Sequence, residues 1–395
     1  MSGRLTDRGG LARSILSIAV GLLTAGVLVQ ISGYNALDAF SALWSGSTGL
    51  AAGPPAAPSD LALGNGHISI FQLAQSLAKV TPLLFCGLAV ALALRAGMFN
   101  IGAQGQMTVG ALASASVGMI GASAAQLPPI VHIPITLLAG ALAGGAWGAL
   151  PGLLKAIRGV HEVISTIMLN FIGINIVSYF VSHNLKDPHS QNLQTPPMSA
   201  ASWLAPLAPH SNLTLGLVLG IACAAAMTFL IARTSAGYAI RAVGLSPEAA
   251  EAAGISTKRT IVFTMALSGA LAGLAGAVEV MSVHHRYVDG VAGSYGFDGI
   301  DVALLGGLGG GGSIISALFF GMLATGSDRM QALTSVPAPV SVVVQSIVII
   351  FVGIRTLGWR APAASAGPGS IPPGAPGSTG DSPEAERNAA PDALR

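Results

Sequence analysis

The sequence predicts an all-α polytopic membrane protein, and three observations carry that prediction. Charged residues are only 9% of the 395 and hydrophobic residues 52%, whereas a soluble domain covers its surface with about 25% charged residues. Apolar runs recur along most of the chain, each long enough or nearly long enough to cross a hydrocarbon layer of about 30 Å. Threading those runs alternately through a membrane also gathers the basic residues on one side. The same composition narrows the function. A net charge of +2 with dispersed basic residues excludes nucleic acid as a partner. Cys86 and Cys223 both lie inside apolar runs, so they are packing residues and not a disulfide framework or a metal site.

In chain order the runs are 15–31, 80–94, 107–120, 133–154, 163–181, 213–232, 261–280, 314–325 and 340–354, about nine transmembrane helices. Arg4, Arg8 and Arg13 precede the first. That run exceeds the ~7–15-residue core of a signal peptide and no small-x-small cleavage site follows, so it is a retained span. Several later runs are short and need packed partners or broken helices to cross. With the N-terminus in the cytoplasm and a re-entrant or broken helix near 297–312, only Lys79, Lys186, Arg286 and Arg329 of the 18 basic residues fall outside. Both termini are then cytoplasmic. External loop 32–76 is rich in Gly and Pro with one short amphipathic end, and external loop 182–212 carries Trp203 as an interface anchor. Residues 1–360 form the transmembrane domain. Residues 361–395, dominated by Pro, Gly, Ser and Ala, form a disordered cytoplasmic tail.

Four polar islands interrupt this pattern. The cytoplasmic loop 237–259 contains Ser246-Pro247-Glu248-Ala-Ala-Glu251-Ala-Ala-Gly254, a short helix with both ends marked. Ser246 caps it, Pro247 suits its first turn, Glu248 faces the positive end of the dipole and Gly254 ends it in the left-handed conformation. A rigid helix between two spans is a docking element, with a solvated connector as the alternative. The second island is 99–106, where Asn100, Gln104 and Gln106 stand with two glycines between spans. Amides at membrane depth bond internally or line a wet cavity, so this is either a broken helix beside a solute pathway or a tight cytoplasmic turn.

Asn170 is the third, inside its span and on the same helix face as Thr166, a pathway contact or interhelical glue. Glu162 stands at the boundary of that span, paired or solvated. The fourth is Gly296-Phe297-Asp298-Gly299-Ile300-Asp301, running into glycines 306–312. No Gly-Lys-Ser/Thr follows, so the glycines do not cradle a nucleotide, and they suit a discontinuous transporter helix. His284-His285 lacks a third metal ligand at suitable spacing. No catalytic constellation is present, and no cofactor is expected.

Together these islands resemble the permease subunits of bacterial ABC importers, in the nucleoside and simple-sugar branch related to branched-chain amino-acid and ribose permeases. The resemblance rests on Phe99-Asn100-Ile101-Gly102 with Gly105-Gln106, on Glu162-Val163-Ile164 with Met168-Leu169-Asn170, on Ala242-Val243-Gly244 with Pro247-Glu248-Ala249-Ala250 and Ala253-Gly254-Ile255, and on Gly296-Phe297, Gly299-Ile300 and 302–306. It covers roughly residues 75–355. Gln104 departs from the family's frequent Glu, His161 and Ser246 from Asn, and Asp301 from a small apolar residue.

The resemblance implies a subunit of the bacterial inner membrane that neither binds nor hydrolyses ATP. Its partners would be membrane lipid, a cytoplasmic ABC ATPase, an extracytoplasmic solute-binding protein and a second, similar permease chain. It implies that the helix at 246–254 couples to the ATPase, with Ser246, Pro247, Glu248, Glu251 and Gly254 in that role. Asn100, Gln104, Gln106, Asn170, Asp298 and Asp301 are the pathway candidates. An ion-coupled secondary transporter is the competing expectation; it needs an intramembrane acid, and Glu279 at the end of its span is the candidate. A membrane scaffold is a third, but it gives amide-bearing helix breaks no purpose.

Overall fold

The computed structural model describes residues 20–350, apart from 22, 53–59, 64–65, 124–126, 209–210, 335, 338–339, 341, 344–345 and 348–349. The expected tail 361–395, the N-terminal arginines and part of the runs 15–31 and 340–354 lie outside the described residues. Residues 23–31 are helical and lead into α1 (Ala36–Thr48). The chain continues through α2 (Ile70–Arg95), α3 (Ala103–Ser123), α4 (Pro129–Arg158), α5 (Glu162–His183) and α6 (Gly216–Arg233). Two short helices, α7 (Ser235–Leu245) and α8 (Pro247–Ala252), precede α9 (Thr257–Glu279), α10 (Tyr295–Leu305) and α11 (Gly310–Thr334).

Six helices among the described residues are long and apolar enough to cross a membrane: α2, α4, α5, α6, α9 with its terminal turn, and α11. Two of them outrun their apolar stretches because neighbours satisfy the polar side chains. In the first turns of α2, Ser76 donates to the carbonyls of Gly46 and Ser47, and Lys79 pairs with Asp328 near the end of α11. Helix α2 is the axis of the molecule. Every residue from Val80 to Ala93 is buried, as expected of a helix apolar on all sides and surrounded by others.

A seam of glycines joins α4 to α9. A Cβ on Gly144 would lie 2.5 Å from the Gly269 carbonyl oxygen, and one on Gly148 2.6 Å from that of Met265. Small residues four apart let backbones meet, which drives association where lipid offers no hydrophobic contrast. Helix α3 joins the same seam at Gly110, against Gly273.

The described residues of segment 32–76 depart from an all-α fold. They hold α1 and a three-stranded antiparallel sheet of Leu50–Ala52, Leu61–Leu63 and Gly66–Ile68, with the last strand central and Ile68 opposite both Leu50 and Leu61. In loop 182–212, Trp203 stacks on His285 with ring centroids 3.9 Å apart while staying 40% exposed. The Thr195 and Met198 amides donate to the Tyr287 and His285 carbonyls, so this loop is fastened over the end of α9.

Candidate functional site

The sequence islands at 99–106, Asn170 and Gly296 meet in one polar node. Asn100 donates through Nδ2 to Gln106 Oε1 (2.9 Å) and Ser268 Oγ (2.8 Å), and its Oδ1 accepts from the Gly102 amide (2.9 Å). Ser268 of α9 in turn donates to the Ala89 carbonyl of α2 at 2.6 Å. Asn170 reaches from α5, accepting from the Gly105 amide (2.8 Å) and donating to the Ile101 carbonyl (2.8 Å). Gln104 donates to the Gly293 carbonyl (2.6 Å) and accepts from the Gly296 amide (2.9 Å).

The pattern has one physical cause. Gly105 and Gly296 stand in the first turns of α3 and α10, where helix N–H groups have no partner within the helix. At membrane depth each such group must be satisfied. An amide side chain from another segment supplies the acceptor in both cases. Gly296 is required there, because a Cβ would collide with the Gln104 backbone.

Helix α10 is 11 residues long, about 16 Å at 1.5 Å per residue and half a hydrocarbon layer. It ends in a turn in which Gly307 and Leu308 both have positive φ, 63° and 61°. Arg95 Nε, at the far end of α2, donates to the Leu308 carbonyl at 3.0 Å. The short helix therefore runs alongside α2 from its Lys79 end toward its Arg95 end, and α11 returns to Lys79.

A cavity of about 430 Å³ opens where α2, α9, α10 and α11 meet at the Lys79 end, within the range of about 300–1,000 Å³ typical of small-molecule sites. Its polar lining includes Lys79, Glu279, His284, Tyr295, Asp298 and Asp328. Asp298 Oδ2 accepts from Ser294 Oγ at 2.7 Å. Glu279 is the last residue of α9 before the π-helical turn Val280–His284. Such turns re-aim side chains and often mark functional sites.

At the Arg95 end lie α7 and α8. The loop 237–259 thus holds two helices rather than one. Ser246 Oγ accepts from the Ala249 amide (3.2 Å), Pro247 is the first helical residue, and Gly254 has φ +81°. The Ile255 amide bonds the Ala250 carbonyl at 2.9 Å, a Schellman closure. Ala250 alone of α8 is buried, leaving Glu248 and Glu251 exposed beside Leu245, which is 89% exposed. Gly244 packs so tightly on Arg95 that a Cβ would collide with its carbonyl.

Comparison with known proteins assigns the family. The family described as branched-chain amino acid transport system / permease component matches residues 72–353. The chain belongs to that permease family. The guanosine ABC transporter permease protein of Bacillus subtilis is 36% identical over 341 residues, 86% of this chain and 91% of the relative. The nucleoside ABC transporter permease protein of Lactococcus lactis subsp. cremoris is 32% identical over 351 residues, 86% and 90% of the two chains. The glucose ABC transporter permease protein of Haloferax volcanii is 33% identical over 293 residues, 72% and 76%. The permease is a multi-pass membrane protein and a transport subunit, not an enzyme.

Of the permease's pathway candidates, Asp298 lines the cavity and Gln104 holds the loop that forms its rim. Asn100, Gln106 and Asn170 turn their amides to one another and to backbone, away from the cavity. Asp301 lies one turn beyond Asp298 and outside the lining. Glu162 is paired, accepting from Lys155 Nζ at 2.7 Å. Asp328 and Tyr295 were not read as site residues from sequence, and Lys79 was named only for its side of the membrane. The available signal was a charge beside an apolar run, but only folding brings residues 79 and 328 together.

Proposed function

We propose that this chain is the membrane-spanning subunit of an ATP-driven importer that moves a nucleoside or a simple sugar into the cytoplasm. One observation carries the reading. A single central helix, α2, ends at a polar cavity on one side and at an exposed, doubly capped helix on the other. Nucleoside-transporting relatives matching 86% of this chain favour a nucleoside over a sugar.

In this reading the protein resides in the bacterial inner membrane with both termini cytoplasmic. Residues 1–360 cross about nine times, and 361–395 form a cytoplasmic tail. The cavity faces outward, because Lys79 belongs to the minority of basic residues outside. A solute-binding protein delivers to it. The solute moves along α10 past Asp298 and Asp301, while Gln104 sets the start of that helix and Asn100, Gln106 and Asn170 brace the wall behind it. On the cytoplasmic side, Ser246, Pro247, Glu248, Glu251 and Gly254 form the element that docks in an ABC ATPase. Exposed Leu245 and Tyr238, 89% and 60% accessible, supply the apolar contact that such an interface requires. A second, similar permease chain completes the translocation path.

Reconstitution tests this. The permease, its partner chain and the ATPase in proteoliposomes, supplied with binding protein, take up radiolabelled guanosine or glucose only with ATP. Uptake driven by an imposed ion gradient without the ATPase would instead identify a secondary transporter.

A further inference from the structure

The cavity at the Lys79 end carries an imbalance of charge that the transport reading does not use. Four carboxylates line it, Glu279, Asp289, Asp298 and Asp328, against one ammonium, Lys79, and that ammonium is engaged by Asp328. Asp289 and Asp298 each take a hydroxyl donor, from Ser178 (3.1 Å) and Ser294 (2.7 Å). Glu279 differs from them. It is 7% exposed, faces the cavity, and among the described residues receives no hydrogen bond. His284 Nε2 stands 3.7 Å away, beyond hydrogen-bonding reach. A carboxylate offers about four acceptor positions, and no hydrogen-bond donor among the described residues occupies those of Glu279.

We infer that Glu279 makes this cavity a charge filter, accepting hydrogen bonds from the hydroxyl and N–H groups of a neutral or cationic solute and turning away solutes that bear a phosphate or carboxylate. The inference rests on the cavity being the solute's entry and deepens that reading. Three features support it. The surplus of acids gives the lining a negative potential, and low-dielectric walls focus such a potential in a cleft. Glu279 ends α9 just before a π turn, and close glycine contacts pack that end of α9 against α4, which fixes the backbone that carries it. The volume of about 430 Å³ admits a nucleoside-sized molecule whole. A neutral nucleoside gains from open acceptors, whereas its phosphorylated form meets like charge.

The test reads the potential directly, without the binding protein. A Ser327→Cys substitution places a thiol in the lining, and the assembled complex in proteoliposomes is treated with cationic and anionic methanethiosulfonate reagents of equal size. The cationic reagent reacts about tenfold faster than the anionic one, relative to a free thiol, and adding Glu279→Gln reduces that preference severalfold. A ratio equal to that of the free thiol overturns the proposal, and so does a ratio that Glu279→Gln leaves unchanged. Should the double variant fail to reach the membrane, the ratio in the Ser327→Cys chain at low and high salt decides alone: a true filter loses its preference on screening, and a salt-independent ratio overturns it. Guanosine uptake is measured in parallel. A complex that moves no nucleoside or sugar but keeps the reagent preference refutes the transport reading while leaving the filter standing.

Discussion

At the residue scale, the chemistry of Gln104 depends on its being an amide. It donates to the Gly293 carbonyl and accepts from the Gly296 amide at the same time, which an ionised carboxylate cannot do because it has no proton to donate. Gln104→Glu therefore leaves a buried carbonyl facing a charge, at a cost of about 1–3 kcal/mol. The expected result is a lower melting temperature in detergent, with Gln104→Met lower still because it loses both bonds. Asn170→Ala separates two roles. Loss of its bonds to Gly105 and Ile101 predicts reduced membrane abundance. Full abundance with reduced uptake would place Asn170 on the solute path instead.

At the element scale, two glycines predict opposite phenotypes. Gly144 sits in the α4–α9 seam with backbone on the far side, so Gly144→Val forces two spans apart and the protein fails to accumulate. Gly254 has open space around it but a φ of +81°, so Gly254→Val costs only the left-handed strain, about 1–2 kcal/mol, at the end of α8. That variant inserts normally and loses the response of ATP hydrolysis to loaded binding protein. Glu248→Lys places a cation at the positive end of α8 and behaves likewise. Parental transport and parental ATPase stimulation in both variants would reduce α8 to a connector.

At the scale of the whole molecule, α2 joins the two ends. Its Lys79 end borders the cavity, and its Arg95 end is pinned to the broken α10–α11 turn and to α7 through Gly244. In the proposed coupling, a push on α8 is passed through these contacts to helices that wall the cavity. One such chain presents one α8, and an ATPase dimer has two faces to engage. The mass of the intact complex should accordingly account for two permease chains; a transporting complex with one copy would contradict the proposed assembly.

The sequence by itself determined the membrane class, the position of most apolar helices, the caps of α8 and the breaks near 99–106 and 297–312, because these follow from local composition and spacing; the separate helix α7 and the π turn at Val280–His284 it did not show. Its family resemblance, carried by the four islands, agrees with the family match over residues 72–353. Tertiary structure decided what the breaks do. Asn100 stood beside either a solute path or a tight turn, and Asn170 served either a path or interhelical contact; hydrogen bonds spanning 168 and 65 residues, to Ser268 and Gly105, are invisible to local pattern. The early start of α2 and the cavity itself were hidden for the same reason. Lys79 and Asp328, 249 residues apart, look like charges beside separate apolar runs until folding makes them a pair at the mouth of one site.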